Sequence, residues 1–443
     1  MHRLKLCRSG NYGCGCSRNN RCRHDNNRVN RRERNSNGKM RTSNLNRLLR
    51  HTAPHRFLLL CLPFTASCSE GSGTEPCAGL PTRTVLVYLA GDNNLEEIGR
   101  TPELLRQGWK DTGSKCLIYY DAPQAAPKLF ALTIRHSDAS SVLATVEEYP
   151  EENSSSAGVF GRVVADVVRK YPSDSYGLIF ASHGSGWLPC GALSDPTRTI
   201  GDDRTPGTTG GAREMEITDF AAAIPDHQFD FIIFEACLMS GIEVAYELRN
   251  KTDYLLASSA ELLVPGYAPV YPTAFQYLFD TNLGVPQALE KFAGSYFNYI
   301  DTRNGAYRSA TQSIVYTREM DALAILAGKT TGNTHGRWDD ALLGKLQHFD
   351  RPGSYGDIPA RPRYFDFGQY MAYLAPERQA DLDALLRKTV VWKAATPEFM
   401  AGYNGFTILT HSGLTTYIEQ DEFPELNAAY KKTAWWKATH VQK

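Results

Sequence analysis

The chain has 443 residues, enough for one large domain or two medium ones, with equal numbers of acidic and basic residues. The neutral total hides an uneven distribution, because residues 1–50 carry a net charge of +12 and residues 51–443 carry −12. An acidic body argues against nucleic acid as the main partner, and five cysteines from Cys68 onward are too few for a disulfide scaffold.

The basic leader, residues 1–39, is rich in Arg and Asn and nearly free of apolar residues. Such a segment cannot bury a core and is predicted to be disordered. Its four cysteines and His24 could be read as a zinc cluster, but they lack paired CxxC spacing, and we expect no metal there. The other interpretation is that Met40 is the true start and the leader comes from an over-extended gene model.

Residues 40–67 have the order of a signal peptide: a basic stretch, the apolar run "FLLLCLPF", and small residues before Cys68. The run is too short to span a bilayer. Cys68 sits as in a bacterial lipobox, except that Thr65 replaces the usual Leu. We therefore expect an exported lipoprotein of the cell envelope or outer surface, lipidated at Cys68 and held by a flexible tether, residues 68–80. No later segment reaches about 18 apolar residues, so the body is predicted to be soluble.

Four apolar runs bounded by turn residues predict buried parallel strands. They cover Thr84–Gly91, Cys116–Ala122, Tyr176–Gly184 and Phe229–Cys237. Helical periodicity lies between them, which indicates an α/β fold with a largely parallel sheet and helices on both faces. A further strand is expected at Asp253–Glu261, and residues 130–136 and 141–149 predict an added hairpin.

Helical patterns dominate after residue 271, followed by a late strand pair at 403–410 and 415–420. We interpret residues 271–443 as a mainly helical C-terminal subdomain packed on a core of residues 81–270. Within that core, the segment 188–216 is dense in Gly, Pro, Thr, Asp and Arg. A loop of this length inside a compact domain is usually functional or cleavable.

Two reactive side chains end successive predicted strands, His183 in "YGLIFASHG" and Cys237 in "FDFIIFEAC". Ligands bind outside the carboxyl ends of the strands in an open parallel sheet, where a Cys and a His can pair. A helix predicted to start at Leu238 would direct its positive end at Cys237 and favour the thiolate. Gly184 and Gly186 would let backbone approach a substrate closely.

The competing interpretation is a satisfied core histidine and an unrelated buried thiol. Cys190 lies in an irregular loop and Cys116 opens a strand at the wrong end of the sheet, so both are expected to be structural. The turn "LAGDNN" is a poor phosphate loop and is expected to form a wall of the cleft or cap a helix. Asp92 within it is a weak candidate site residue.

The motifs "FASHGSGW" and "FEACLMS" resemble the His and Cys motifs of the clostripain-like cysteine peptidases, which are part of the caspase-like group. The stretches "VLVYLAGDNNLE", "YLLASSAELLVPGYAPVYP" and "AAYKKTAWW" extend the resemblance over residues 82–436. The resemblance implies a caspase-like fold and an endopeptidase with Cys237 as nucleophile and His183 as general acid and base. The backbone N–H groups of Gly184 and Cys237 would hold the oxyanion.

The resemblance also implies cleavage after Arg or Lys through an acidic S1 pocket. The family's usual carboxylate two residues before the Cys is Asp, whereas this chain has Glu235. Its charge and place persist, so Glu235 is the candidate substrate-binding residue. Alternatively, Glu235 caps a neighbouring backbone group.

Family members often cut themselves between the His and Cys strands, where this chain has Arg198, Arg204 and Arg213. Arg198 is the first choice by position. Some members need Ca²⁺, and Asp202 and Asp203 could contribute ligands to it. No EF-hand spacing is present, and the predicted chemistry requires no cofactor.

Two other functions remain open. One is a catalytically silent surface lipoprotein that binds peptide or glycan with the same cleft, and the other is a hydrolase or transferase of different specificity. The presence of both His183 and Cys237 favours the peptidase. We expect protein or peptide substrates, membrane attachment through the lipid alone, and a monomer.

Overall fold

The computed structural model describes residues 82–193, 200–204, 214–331, 340–354 and 360–440.

The predicted leader, signal peptide and tether lie outside the described residues. So do Cys68 and two of the three candidate cleavage residues, Arg198 and Arg213. These expectations stay predictions.

Nine strands form one central sheet in the order β10-β8-β7-β6-β5-β1-β2-β3-β4, and four short strands form two separate pairs. The strands of the described chain are β1 (Arg83–Ala90), β2 (Lys115–Asp121), β3 (Lys128–Ile134), β4 (Ser141–Glu148), β5 (Ser175–Ala181), β6 (Phe229–Glu235), β7 (Thr252–Ala257), β8 (Thr311–Tyr316), β9 (Phe365–Asp366), β10 (Val390–Ala395), β11 (Glu398–Phe399), β12 (Phe406–Thr407) and β13 (Thr415–Thr416).

The middle of the sheet is parallel. β1 pairs in parallel with β2 and β5, β5 with β6, and β6 with β7, whereas the outer strands at both edges are antiparallel. The five predicted strands and the added hairpin β3–β4 are confirmed. The predicted largely parallel sheet is therefore correct, with an antiparallel extension at each edge.

Helices cover both faces of the sheet, as predicted. The α-helices of the described chain are α1 (Thr101–Gly108), α2 (Ala157–Lys170), α3 (Ile217–Ala222), α4 (Ile242–Glu247), α5 (Tyr271–Ala274), α6 (Val285–Asp301), α7 (Met320–Thr331), α8 (Asp340–Leu343), α9 (Phe367–Leu374), α10 (Gln379–Thr389), α11 (Pro424–Tyr430) and α12 (Ala434–Thr439). Short 3₁₀ turns occupy Glu96–Arg100, Phe275–Phe279, Gly305–Tyr307, Thr317–Glu319 and Pro376–Arg378.

Alternate residues of the central strands supply two separate hydrophobic cores. On β1, Leu86 and Tyr88 face a core that contains α2, α3, α4 and α12, whereas Val85 and Val87 face a core that contains α5 and α6. Successive side chains of a strand point to opposite faces, and both faces are covered, so the strand has no polar side. This accounts for the continuous apolar run in its sequence.

The chain after residue 271 is mainly helical, as expected, but it does not form a separate unit. β8 and β10 extend the central sheet beside β7, and residues 75–443 form one compact unit. The expected pairing of the two late strands is wrong. β12 pairs with β11 and β13 pairs with β9, because each finds an antiparallel partner outside its own hairpin.

The C-terminal segment also supports α4, the helix that follows Cys237. Glu243 in α4 is buried, and its Oε1 accepts hydrogen bonds from the Tyr417 N–H at 3.0 Å and the Thr416 hydroxyl at 2.9 Å. Burial raises the pKa of this carboxyl to about 7, against its hydrogen bonds, which lower it. Trp435 packs edge-on against Tyr246 of the same helix.

No helix in the described part of the chain is long and apolar enough to cross a membrane.

We expect Glu243 to make folding stability decrease as the pH rises from about 4.5 to about 7. Below that window the carboxyl is protonated in both the folded and unfolded chains; above it, folding must bury a carboxylate that was ionised in water. The pKa change corresponds to a difference on the order of 3 kcal/mol. In Glu243→Gln, the denaturant midpoint should therefore fall less between pH 5 and pH 8 than in the wild type. Equal pH dependence in both proteins would contradict this assignment.

Candidate active site

The parallel pairing of β5 and β6 sets the positions of His183 and Cys237. Ala181 at the end of β5 is paired with Glu235 at the end of β6. His183 and Cys237 each lie two residues beyond this pair. The Ser182 N–H donates to the Glu235 carbonyl, at 3.4 Å, and keeps the two segments together beyond the ends of their strands. The expectation of a Cys and a His on neighbouring strand ends matches this geometry.

His183 is held through its backbone and its ring. Its side chain is buried, with 8% of the residue exposed. Its carbonyl accepts the Gly201 N–H at 3.0 Å, and its Nε2 lies 2.8 Å from Oδ1 of Asn94. Sequence reasoning placed the turn of Asn94 at the cleft but did not single out this residue. The available indication was that β1 and β5 are neighbours, so that polar residues following both strands meet at one edge.

Asn93 fixes the turn that presents Asn94. Its Nδ2 donates to the carbonyls of Ala90, at 2.7 Å, and Asp202, at 3.1 Å, and its Oδ1 accepts the Leu95 N–H at 2.8 Å. The turn therefore borders His183, as expected for a cleft wall. Asp92 contributes its carbonyl, which accepts the Arg204 N–H at 2.8 Å.

The predicted helix start at Leu238 is wrong. α4 begins at Ile242, five residues after Cys237, and contains six residues. Leu238 instead adopts φ of +62°, in the left-handed region, and its N–H donates to the Ala260 carbonyl at 3.0 Å. Cys237 therefore lies on a tight loop, and the argument that a helix dipole favours its thiolate does not apply.

The backbone of Leu262, and not a helix N-terminus, contacts the Cys237 sulfur. The Leu262 N–H donates to Sγ of Cys237 at 3.4 Å, and the Leu262 carbonyl lies 3.8 Å from the same sulfur. The N–H donor favours the anionic sulfur, whereas the carbonyl can accept the thiol proton and favours the neutral one. Leu262 follows β7, the next strand in the sheet, and sequence reasoning did not identify it.

The glycines of "SHGSG" allow the His and Cys loops to touch. A Cβ at Gly184 would lie 2.8 Å from the Cys237 carbonyl oxygen, and one at Gly186 would lie 2.8 Å from the Leu238 carbonyl oxygen. Gly186 also has φ of +67°. The close neighbour of both glycines is the loop of Cys237, which refines the expectation that they make room for a substrate. Gly184 and the Cys237 backbone, the two predicted oxyanion donors, are thus in adjacent loops.

Glu235 is surrounded by tyrosines. Its carboxylate accepts the Tyr267 N–H at 2.7 Å and the Tyr271 hydroxyl at 2.5 Å. Burial raises its pKa to about 7, although both hydrogen bonds lower it. A Cβ at Gly266 would lie 2.4 Å from Oε1, so a glycine is needed where this backbone passes. The alternative in which Glu235 caps a backbone group is therefore present in the structure.

Residues 200–204 of the linker lie against the same edge. Backbone groups of this segment bond to His183, Asn93 and Asp92. In addition, the Asp203 carboxylate accepts the backbone N–H and the hydroxyl of Ser154. Arg204 is exposed and forms an ion pair with Asp202 at 3.5 Å. The candidate cleavage residue Arg204 is thus in a well-bonded segment.

The linker acids Asp202 and Asp203, the candidate calcium ligands, are bonded to groups of the protein. Asp203 is bonded to Ser154 and Asp202 to Arg204. Within the described ranges, no group of three or more His, Cys, Asp or Glu residues is placed to hold a metal ion. We assign no step to calcium.

The two other described cysteines lie away from the β5 and β6 strand ends. Cys116 is buried in β2, and burial raises the pKa of its thiol well above the ordinary value. The Cys190 N–H donates to the Glu216 carboxylate at 2.8 Å in the linker.

Comparison with known proteins agrees with this geometry. The model of the clostripain family, peptidase C11, matches residues 87–325, more than half of the chain and both strand ends. The chain belongs to the clostripain family.

Its relatives in the family include clostripain from Hathewaya histolytica, which is 26% identical over 290 residues. That match covers 58% of this chain and 52% of clostripain, so the chain spans about half the length of this curated relative.

Two solved clostripain-family structures cover 81% of this chain and 98% of their own. One is an inactive zymogen C11 protease from Parabacteroides distasonis, with TM-score 0.66 and 29% identity. The other is a secreted C11 cysteine protease from Bacteroides thetaiotaomicron in complex with an irreversible peptide inhibitor, with TM-score 0.67 and 26% identity. The mixed, mostly parallel sheet is that of the clostripain family.

We expect Gly184→Ala to separate the His and Cys loops, because the new Cβ would press on the Cys237 carbonyl. Displacements of about 1 Å can cost about 100-fold in rate, and we expect a loss of that order in kcat/KM for a peptide substrate. Gly294→Ala in α6 is the matched control, since no atom lies within 4 Å of its new Cβ. Retained activity in a folded Gly184→Ala protein would show that the loops need not touch.

Proposed function

We propose that the protein is an exported cysteine endopeptidase that uses Cys237 and His183 as a catalytic dyad. The observation that carries the proposal is the register of β5 and β6, which places the two residues at equivalent points beyond adjacent strand ends. Membership in the clostripain family supports a peptidase, and one similar structure is described as bound to an irreversible peptide inhibitor.

The reaction begins when His183 takes the proton of the Cys237 thiol and the resulting thiolate attacks the carbonyl carbon of the scissile peptide bond. The Leu262 N–H at the sulfur stabilises the anion before the attack. The tetrahedral oxyanion is held by the backbone N–H groups of Gly184 and Cys237. His183 then protonates the leaving amine, which breaks the C–N bond and leaves a thioester on Cys237. Water deprotonated by His183 hydrolyses this acyl-enzyme.

Glu235 makes a basic P1 residue the preferred substrate in this proposal. Each carboxylate oxygen can accept two hydrogen bonds, and the Tyr267 N–H and the Tyr271 hydroxyl use one on each oxygen. The remaining lone pairs can receive an Arg or Lys side chain. The two tyrosine bonds then orient the carboxylate, so capping and substrate binding are compatible.

Self-processing in the linker is the second part of the proposal. Arg198, Arg204 and Arg213 supply basic P1 residues between β5 and β6. Cleavage after Arg204 would first require residues 200–204 to leave Asp92, Asn93 and Ser154. This cost favours Arg198 or Arg213 as the first site.

Export is the third part. Its support is the order of residues 40–67 and a related structure from a protein described as secreted. Lipidation of Cys68 is tested by palmitate labelling in a bacterial host, where Cys68→Ala should lose the label.

Replacing the nucleophile tests the dyad and self-processing together. A protein spanning Cys77 to the C-terminus should hydrolyse peptides with Arg or Lys at P1, and its intact mass should fall as the linker is cut. Cys237→Ala and His183→Ala should lose hydrolysis by at least about 100-fold and keep a single mass, because the nucleophile or the proton carrier is missing. Cys116→Ala, which removes a buried thiol, is the matched control. Equal hydrolysis by Cys237→Ala and the wild type would reject the peptidase assignment.

Glu235→Gln tests the origin of specificity. The ratio of kcat/KM for Arg over Ala at P1 should fall about 10- to 100-fold, since hydrogen bonds to charged groups contribute about 1.5–3 kcal/mol. Because burial raises the pKa of Glu235 to about 7, the carboxylate ionises as the pH rises through that value. The wild-type ratio should therefore increase from pH 6 to pH 8, and the Gln variant's ratio should stay flat.

Glu97→Gln, an exposed carboxylate near the same edge, is the control for general loss of negative charge. If the P1 ratio of a folded Glu235→Gln protein equals that of the wild type, Glu235 is a backbone cap alone.

A further inference from the structure

We propose that Asn94 is the positioning residue that fixes the tautomer and orientation of the His183 ring. This inference rests on the proposed function, because it concerns the same dyad. The observation is the 2.8 Å contact between Asn94 Oδ1 and His183 Nε2. An amide oxygen can only accept a hydrogen bond, so Nε2 carries the proton in this contact, and Nδ1 is the nitrogen that exchanges a proton in the proposed reaction.

The hydrogen bonds of the backbone around His183 act on the main chain and not on the ring. Ser182 is tied to β6 through the Glu235 carbonyl and to β1 through the Ala90 carbonyl, which its hydroxyl reaches at 3.1 Å. The His183 carbonyl is bonded to the Gly201 N–H. None of these bonds controls rotation about the side-chain bonds. The contact to Asn94 does so, since it holds the ring nitrogen farthest from the backbone.

Asn94 is exposed and contacts the His183 ring, so its side chain is not part of the hydrophobic core. Its neighbour Asn93 is 9% exposed and makes the bonds that shape the turn, whereas Asn94 is exposed. The turn is rigid because Asn93 ties it to Ala90 and Asp202. A rigid turn with an exposed amide aimed at an imidazole gives the histidine a fixed acceptor.

The neutral amide also suits a group that must both accept and release a proton. A carboxylate at this place would stabilise the imidazolium and delay proton donation to the leaving amine. The charged groups on the elements around His183 are Asp92 on the same turn, Asp202, Asp203 and Arg204 in the linker, and Glu235 at the end of β6. They are unchanged in the variants below, so a displaced pH profile reports the change at position 94.

Two substitutions separate positioning from a structural role. Asn94→Ala should lower kcat about 10- to 100-fold with KM unchanged, less than the 10²–10⁴-fold that a general acid–base group contributes in itself. Asn94→Asp keeps an acceptor at the same distance and should restore kcat to within about fivefold of the wild type. It should also move the basic limb of the kcat/KM profile up by about one pH unit, because the imidazolium keeps its proton longer. Glu96→Ala, on the exposed side of the adjoining 3₁₀ turn, should match the wild type.

A second measurement does not depend on turnover. The rate at which iodoacetamide alkylates Cys237 is followed against pH by mass spectrometry of the Cys237 peptide, with His183→Ala as the uncoupled reference. The Asn94→Ala profile should shift toward that reference, and the Asn94→Asp profile should not. If both Asn94 variants match the wild type, or if both match His183→Ala, the inference is overturned. A wild type that hydrolyses no peptide yet shows a His183-dependent alkylation profile rejects the proposed function, and the Asn94 profiles still decide the inference.

Discussion

The register between β5 and β6 is the constraint on which the site depends. Parallel strands end at the same edge of a sheet, and pairing Ala181 with Glu235 makes the following residues meet in order. His183 and Cys237 each lie two residues beyond this pair, on adjacent segments. The side chain of Glu235, the last residue of β6, lies with Tyr267 and Tyr271, whose N–H and hydroxyl groups bond its carboxylate. One register thus sets the places of the proposed nucleophile, base and specificity residue.

The loop of Cys237 has little regular structure of its own and is supported by two other segments. Leu238 and Ser240 donate their N–H groups to the carbonyls of Ala260 and Ser258, which follow β7. On its other side, the Ser240 hydroxyl donates to the Gly413 carbonyl at 2.7 Å, and the Ser240 carbonyl accepts the Thr415 N–H. The C-terminal part of the chain is therefore a structural component of the site, although it supplies neither member of the dyad.

Much of this arrangement could be predicted from sequence, because buried parallel strands are continuous apolar runs and reactive residues at their carboxyl ends share an edge. The helix start could not. The residues from Leu238 onward have a helical pattern, but Leu238 and Ser240 bond to distant segments instead. Asn94 and Leu262 were also missed, since their roles arise from contacts to His183 and Cys237 across 89 and 25 residues. The joining of β8 and β10 to the sheet was hidden for the same reason, as strand partners depend on distant pairing.

The position of the linker has a consequence for the architecture of a cut molecule. Residues before the linker form β1 to β5, one contiguous half of the sheet, and residues after it form the other half, β6, β7, β8 and β10. A break between residues 194 and 213 would therefore divide the sheet along a single seam. Each resulting polypeptide would carry one half of the dyad, with His183 and Asn94 in one and Cys237 and Glu235 in the other. The seam between β5 and β6 would become the subunit interface of a heterodimer, and catalysis would be a property of the assembled pair.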